Sequence, residues 1–345
     1  MCGIAGFYSP QLSTSEAQNV ADKICKVLTH RGPDDFGVWN NGSGLWLIHR
    51  RLSILDLSPL GHQPMISTSQ KQVLVFNGEI YNYLELRKEL EDKGVKFRGH
   101  SDTEVLLEGI ELWGLNGTLK KIKGMFGFAI WDSTQNILSL ARDRMGEKPV
   151  YFSELAAGGF VFGSEMKAIV QHPDFIKEMN PEAISLFFQL NYIPSPHTIF
   201  KNCRKLPPGS FIQWTVQGGV SDIQKFWNYP EPQRKTTAAQ DDSQVISEFK
   251  TRLEKSVKDQ LHSDVPVGCF LSGGIDSATI ASTMQSLSKQ KIKTYTIGFS
   301  DSSYDESKFA KEMAQHLGTD HHEWILSPDE AKSMITLVPD IYDEP

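Results

Sequence analysis

The chain reads as two domains in series: an α+β domain of stacked, mostly antiparallel sheets covered by helices, then an α/β domain on a parallel sheet. Three observations predict this. Residues 1–215 hold many short β-branched and aromatic runs at hairpin-length spacing. Residues 216–243 are polar and turn-rich, with Gln217-Gly218-Gly219 and Pro230-Glu231-Pro232, and read as a linker. Residues 244–345 then alternate apolar strands with helical stretches, the rhythm of a parallel sheet with helices on its faces.

Taken in order, strands are expected at Ile4–Tyr8, Leu45–His49, Ser53–Leu57, Gln72–Asn77, Phe126–Asp132, Ile137–Arg142, Gly159–Gly163 and Ser210–Thr215, each bounded by Gly, Pro, Asn or Asp. Helices are expected at Ser15–Leu28, Tyr83–Lys93, Asp102–Trp113, Lys167–Gln171 and Pro181–Phe188. Ser101-Asp102-Thr103-Glu104 marks a helix start, with acids in the first turn. After the linker come helix Gln244–Leu261, strand Val265–Leu271, a helix from Asp276 to Ser288, strand Lys293–Phe299, helix Ser307–Leu317, strand His321–Leu326 and helix Pro328–Val338. Three strands are few for a parallel sheet that buries both faces, so a truncated chain is expected.

With 345 residues, 39% of them hydrophobic and 22% charged, the chain has the length for about two folded domains. A net charge of −7 argues against nucleic acid or an anionic membrane as a main partner. The four cysteines, Cys2, Cys25, Cys203 and Cys269, lack metal or disulfide-framework spacing, which points to reduced thiols in a cytoplasmic protein. No signal segment or membrane span is legible.

Three patterns carry chemistry. Cys2 follows the initiator methionine in Met1-Cys2-Gly3-Ile4-Ala5-Gly6. Once Met1 is trimmed, Cys2 offers a thiol nucleophile and an α-amine that can take up its proton. Ser272-Gly273-Gly274-Ile275-Asp276-Ser277 falls where an apolar strand hands over to a helix. Its glycines admit an anion to the backbone, the helix N-terminus supplies N–H groups, and Asp276 makes sense if Mg²⁺ accompanies phosphates. Finally, Arg31, Arg51, Asn77-Gly78-Glu79 and Asp102 suit an amino-acid substrate. An arginine can clamp a carboxylate, acids can hold an ammonium, and Asn side-chain and Gly backbone N–H groups can form an oxyanion hole. Singly, each has a plain alternative: a surface ion pair, a hairpin turn, a helix start.

The Ser-Gly-Gly-x-Asp-Ser loop resembles the pyrophosphate loop of ATP pyrophosphatases. The Cys2 cluster, with Arg142-Asp143-Arg144-Met145-Gly146-Glu147-Lys148-Pro149 and Leu206-Pro207-Pro208-Gly209, resembles class II glutamine amidotransferases. Joined, they resemble the glutamine-hydrolysing asparagine synthetases. The resemblance implies an N-terminal-nucleophile hydrolase-like domain over 1–215, a linker over 216–243, and the first part of an ATP-pyrophosphatase synthetase domain over 244–345.

It also implies roles. Cys2 is the nucleophile. Asn77 and Gly78 form the oxyanion hole. Arg51 grips the glutamine carboxylate, Glu79 and Asp102 receive its ammonium, and backbone of Leu52, Ser53, Ile54 and Leu55 lines the pocket. Ser272, Gly273, Gly274, Asp276 and Ser277 hold the ATP phosphates, with Asp276 on Mg²⁺, while Phe270 and Ile297 meet the adenine through their backbones. Glutamine, aspartate and ATP are the implied substrates, and a homodimer stays open as the assembly. Two rivals stand beside this: the same chemistry on another carboxylic acid such as a sugar uronate, and a glutaminase-only or regulatory chain.

Overall fold

The computed structural model describes residues 1–156, 158–231, 242–300 and 305–344. It divides into two compact units, Met1–Pro230 with Tyr342–Pro345, and Glu231–Ile341. The strands of the first unit are β1 (Gly3–Tyr8), β2 (Asp35–Asn40), β3 (Leu45–Arg51), β4 (Met65–Ile66), β5 (Gln72–Ile80), β6 (Gly124–Asp132), β7 (Ile137–Arg142), β8 (Tyr151–Glu154), β9 (Phe160–Gly163), β10 (Arg204–Lys205), β11 (Ser210–Thr215), β12 (Gly219–Val220) and β13 (Gln224–Lys225). Its helices are α1 (Thr14–Val27), α2 (Tyr83–Glu91), α3 (Asp102–Lys121), α4 (Met166–Ile169) and α5 (Pro181–Leu190).

Two antiparallel sheets stack. One runs β10-β8-β9-β1-β3-β2, the other β12-β11-β7-β6-β5-β4, with β13 also paired to β11. Ile4, Leu47, Val75, Leu140, Phe162 and Trp214 fill the space between them. On the outer face of the first sheet, α1 lays down Ala17, Val20, Ala21 and Ile24, a helical apolar stripe. On the outer face of the second, α2 and α3 supply Leu86, Leu90, Val105, Leu106 and Ile110. The result is a helix–sheet–sheet–helix stack with β1 inside it. That position explains why β1 reads as an apolar run rather than an alternation, since both of its faces are buried.

Helix starts follow the side chains. Ser13 and Glu16 make a reciprocal capping box on α1, Ser101 caps α3, and Asn180 caps α5 ahead of Pro181. α3 outruns its expected end at Trp113, continuing to Lys121 across a break at Gly114, where φ is 71°.

Two expectations are corrected. Ser53–Leu57 is not a strand: Asp56 has φ 56°, and the Arg51 side chain gathers the carbonyls of Leu55 and Asp56, which curls this segment into a loop. The linker does not begin at 216, because β12 and β13 add to the second sheet through β11. The part of the expected linker at 232–241 lies outside the described residues.

The second unit holds α6 (Asp242–Asp259), β14 (Gly268–Phe270), α7 (Ile275–Leu287), β15 (Lys293–Phe299), α8 (Ser307–Leu317), β16 (Asp320–Leu326), α9 (Pro328–Met334) and α10 (Val338–Ile341). The strands form a parallel sheet in the order β14-β15-β16. Ala278, Ala281 and Met284 of α7 and Ala310 and Ala314 of α8 pack with Cys269 and Leu271 into its core. Among the described residues one face of this sheet is covered: β15 buries Thr294 and Thr296, while Tyr295 and Ile297 on the opposite face are exposed. His321 and His322 point to opposite faces, one bonded to Thr294 and the other stacked on Tyr295.

Candidate active site

The first unit gathers its functional side chains into one pocket, lined by Cys2, Arg51, Leu52, Ile54, Leu55, Asn77, Gly78, Glu79 and Asp102, with Met1, Gln63, Phe76, Thr103, Met125 and Lys148. Cys2 stands one residue before β1, and its Sγ donates to Leu52 O at 3.6 Å. Burial pushes the thiol pKa up, with the Leu52 contact, the N-terminal ammonium and Arg51 pulling the other way. Such a thiol needs a base beside it. The α-amine of Cys2 can serve only after Met1 is removed, because until then it is an amide nitrogen.

The backbone of Cys2 is held from behind. Arg31 Nε donates to Cys2 O at 2.9 Å, and Arg31 Nη1 donates to Glu165 at 2.7 Å. Arg31 is therefore buried, not one half of a surface ion pair. Burial alone would raise Glu165, but hydrogen bonds from Arg31, His30 and Lys167 outweigh it and hold its carboxyl below the usual range.

β5 presents the opposite wall. Asn77 is buried, and its Nδ2 has no protein partner. A buried amide donor left unpaired is costly in a fold, and facing a cavity it is available to an oxygen of a ligand. Gly78 must be glycine: a Cβ there would lie 2.2 Å from Met125 O on β6. His49 supports this wall, with Nε2 at 3.0 Å from Phe76 O. Burial lowers its pKa to about 3, so its ring is neutral.

Asp102, the first residue of α3, accepts from Ile80 N at 2.9 Å. Burial, and after it neighbouring Glu79, raise its pKa to about 7 against the pull of the Ile80 N–H. Burial also raises Glu79, against the pull of Lys148 and the N-terminal amine. Two acids, Glu79 and Asp102, thus share this end of the pocket with two amines, Lys148 and the N-terminus.

Ser53 stands apart from the other expected residues: it does not line the pocket, and its N–H goes to the Asp34 carboxylate at 2.8 Å. Lys148 was missed as a site residue, although the Arg-Asp-x-x-Gly-x-Lys-Pro stretch that contains it was the available signal. The buried Asp143 carboxylate folds that stretch inward by accepting from the N–H groups of Phe126, Met145, Glu147 and Lys148. Gln63 was missed without any local signal, since its pocket position depends on bonds to Phe76 N and Thr103 Oγ1.

In the second unit, the Ser272–Ser277 loop joins β14 to α7 at the carboxyl edge of the sheet. Gly273 has φ 81° and Gly274 caps α7. Ser277 Oγ closes the loop, 3.1 Å from Ser272 N, 3.0 Å from Ser272 Oγ and 3.2 Å from Gly274 O. Phe270, Ser272, Asp276 and Ile297 are exposed at this edge. One carboxylate and two hydroxyls suit Mg²⁺ that arrives with phosphate oxygens, and are too few to hold a metal alone. No cluster of three metal-ligating side chains exists among the described residues.

Cys2 at the head of an internal strand thus shares a pocket with an orphan amide donor and an acid pair within a double-sheet stack, the arrangement of residues that the resemblance to class II glutamine amidotransferases implied. Comparison agrees. Residues 1–227 match the family model described as a glutamine amidotransferase domain, and residues 248–345 match that described as asparagine synthase. An asparagine synthetase homologue of Methanocaldococcus jannaschii is 34% identical across all of this chain, which covers 68% of that relative. Asparagine synthetase 1 of Bacillus subtilis is 34% identical, with 100% of this chain and 53% of the relative covered. Asparagine synthetase B of Escherichia coli is 30% identical, with 94% and 54% covered.

The chain belongs to the glutamine-hydrolysing asparagine synthetase family. It spans between about half and two thirds of the length of these relatives. A glutamine phosphoribosylpyrophosphate amidotransferase from B. subtilis aligns at 16% identity and a TM-score of 0.48, covering 93% of this chain and 65% of that one. That likeness is too loose to assign a fold, which the strand order assigns by itself. No helix among the described residues is long and apolar enough to cross a membrane.

Proposed function

We propose that this chain hydrolyses glutamine at Cys2 and uses the ammonia to amidate an ATP-activated carboxylate, most simply the β-carboxylate of aspartate, giving asparagine. The unpartnered Asn77 Nδ2 in the Cys2 pocket carries this reading. The Cys2 thiol attacks the glutamine amide carbon as its proton passes to the α-amine freed by loss of Met1. Asn77 Nδ2 and the Gly78 N–H stabilise the tetrahedral oxyanion. The α-ammonium returns that proton to the amide nitrogen as the intermediate collapses, which expels ammonia and leaves a γ-glutamyl thioester; water then hydrolyses the thioester, giving glutamate and restoring the thiol. Arg51 orients the α-carboxylate, and Glu79 and Asp102 hold the α-ammonium.

The second unit supplies activation, because a carboxylate at neutral pH is a poor electrophile. Ser272, Gly273, Gly274 and Ser277 offer hydroxyl and N–H donors to the β- and γ-phosphates at the start of α7. Asp276 would hold Mg²⁺, which when bound offsets charge on the departing pyrophosphate. Backbone groups of Phe270 and Ile297 meet the adenine. The family match over both parts favours aspartate over a sugar uronate as acceptor.

The test is glutamate release by the purified chain, with Cys2→Ala as control, with and without Mg-ATP and aspartate. Cys2-dependent glutamate together with AMP and asparagine supports the full reading. Cys2-dependent glutamate without AMP reduces it to a glutaminase. No Cys2-dependent glutamate from folded protein lacking Met1 refutes it.

A further inference from the structure

Asp56 lies outside the pocket lining, yet both arms that would hold the amino-acid end of glutamine converge on it. It is fully buried and sits at φ 56°. Its carbonyl oxygen accepts from Arg51 Nη2 at 2.5 Å. Its carboxylate reaches the other way: Oδ1 accepts from Ser58 N at 3.2 Å and Ser58 Oγ at 2.5 Å, and Oδ2 accepts from His100 N at 2.9 Å. His100 is two residues before Asp102, and the peptide it anchors leads into Ser101, the cap of α3.

Two glycines make room for these contacts. A Cβ on Gly61 would fall 2.0 Å from Arg51 Nη2 and 2.5 Å from Asp56 O. A Cβ on Gly99 would fall 2.4 Å from Asp56 Oδ2. Neither approach survives a side chain, so the backbone around Asp56 is packed to serve it. Its hydrogen bonds outweigh its burial and keep the carboxyl ionised, as an acceptor of several N–H and O–H groups must be.

From this geometry we infer that Asp56 is a positioning residue for glutamine: it fixes the Arg51 guanidinium against the start of α3 that carries Asp102, and so sets the distance between the carboxylate-binding and ammonium-binding groups. The inference rests on the proposed glutaminase reading. Cys2 and Asn77 line the pocket and Asp56 lies outside that lining, so recognition of the α-substituents should suffer and thiol chemistry should not.

The test compares the full chain with Asp56→Asn and Gly99→Ala. Asp56→Asn keeps the size but turns an NH₂ toward one set of donors. Gly99→Ala leaves Asp56 in place and displaces Oδ2. Each should raise the glutamine KM about tenfold or more, with kcat changed less than about threefold and the rate of Cys2 alkylation by iodoacetamide within about twofold. An unchanged KM in either folded variant overturns the inference. So does a joint fall of kcat, alkylation rate and melting temperature, which marks a merely structural role. A wild-type chain that alkylates at Cys2 but releases no glutamate refutes the glutaminase reading itself, and this inference with it.

Discussion

Replacing Asp102 with Asn should stabilise the fold while weakening glutamine binding, and the size of the gain should depend on pH. The ordinary pKa of the group is 3.8, and burial beside Glu79 carries it to about 7. Between those values the folded chain keeps a proton on Asp102 that the unfolded chain has released. Wild-type stability therefore falls as pH rises through that window and levels off above pH 7. Roughly three pH units at 1.36 kcal/mol each amount to about 4 kcal/mol.

Asn escapes this cost and can still accept the Ile80 N–H. Asp102→Asn should then be more stable than wild type by about 4 kcal/mol at pH 8 and roughly equal to it at pH 4. Urea titrations from pH 4 to 9, followed by the reactivity of Cys25 and Cys203, report on the first unit alone, where both thiols are buried. A stability difference of the same size at pH 4 and pH 8 would refute the reasoning, since Asp102 would then titrate near its ordinary value. The same substitution should raise the glutamine KM, because the proposed partner of the ammonium is gone.

Other outcomes follow from single contacts. Asn77→Ala removes the unpartnered donor and should cut kcat for glutamate release about 10²–10³-fold, with Cys2 alkylation unchanged. Arg31→Met removes a buried guanidinium and strips the half-buried Glu165 of its shortest partner and Cys2 O of its donor. It should cost about 3 kcal/mol, read as a lowered melting temperature, with part regained by Arg31→Lys. Gly273→Ala forces a side chain into φ 81° with Cβ 2.8 Å from Phe309 Cβ. It should abolish the heat of Mg-pyrophosphate binding in calorimetry while glutamate release is retained.

Much of the fold is legible in the sequence because its signals are local. Ser101-Asp102-Thr103-Glu104 announces the start of α3 through its own side chains, whereas the Ser13–Glu16 and Asn180 caps are recognised only in the structure. β-branched and aromatic runs announce strands, and the order of Lys293–Phe299, Ser307–Leu317 and the strand after them announces a parallel sheet. The residues of the candidate site are legible for another reason: Cys2, Arg51, Asn77-Gly78-Glu79, Asp102 and Ser272–Ser277 are short motifs whose chemistry is intrinsic to the residue types.

What the sequence by itself determined was therefore the kinds of element and the chemical inventory. Only the tertiary structure decided which groups meet and in what state. Ser53–Leu57 has the composition of a strand, but Arg51 draws its carbonyls into a loop. Arg31 looks like a surface residue until β1 and Glu165 enclose it. Lys148 reaches the pocket because a buried Asp143 folds its loop inward, and Asp102 comes to about pH 7 because helix, sheet and Glu79 exclude water around it. The states of Arg31 and Asp102 depend on desolvation and on partners tens of residues away, and the turns at Arg51 and Asp143 on buried bonds that span only four or five residues but form inside the fold, so residue order announces neither.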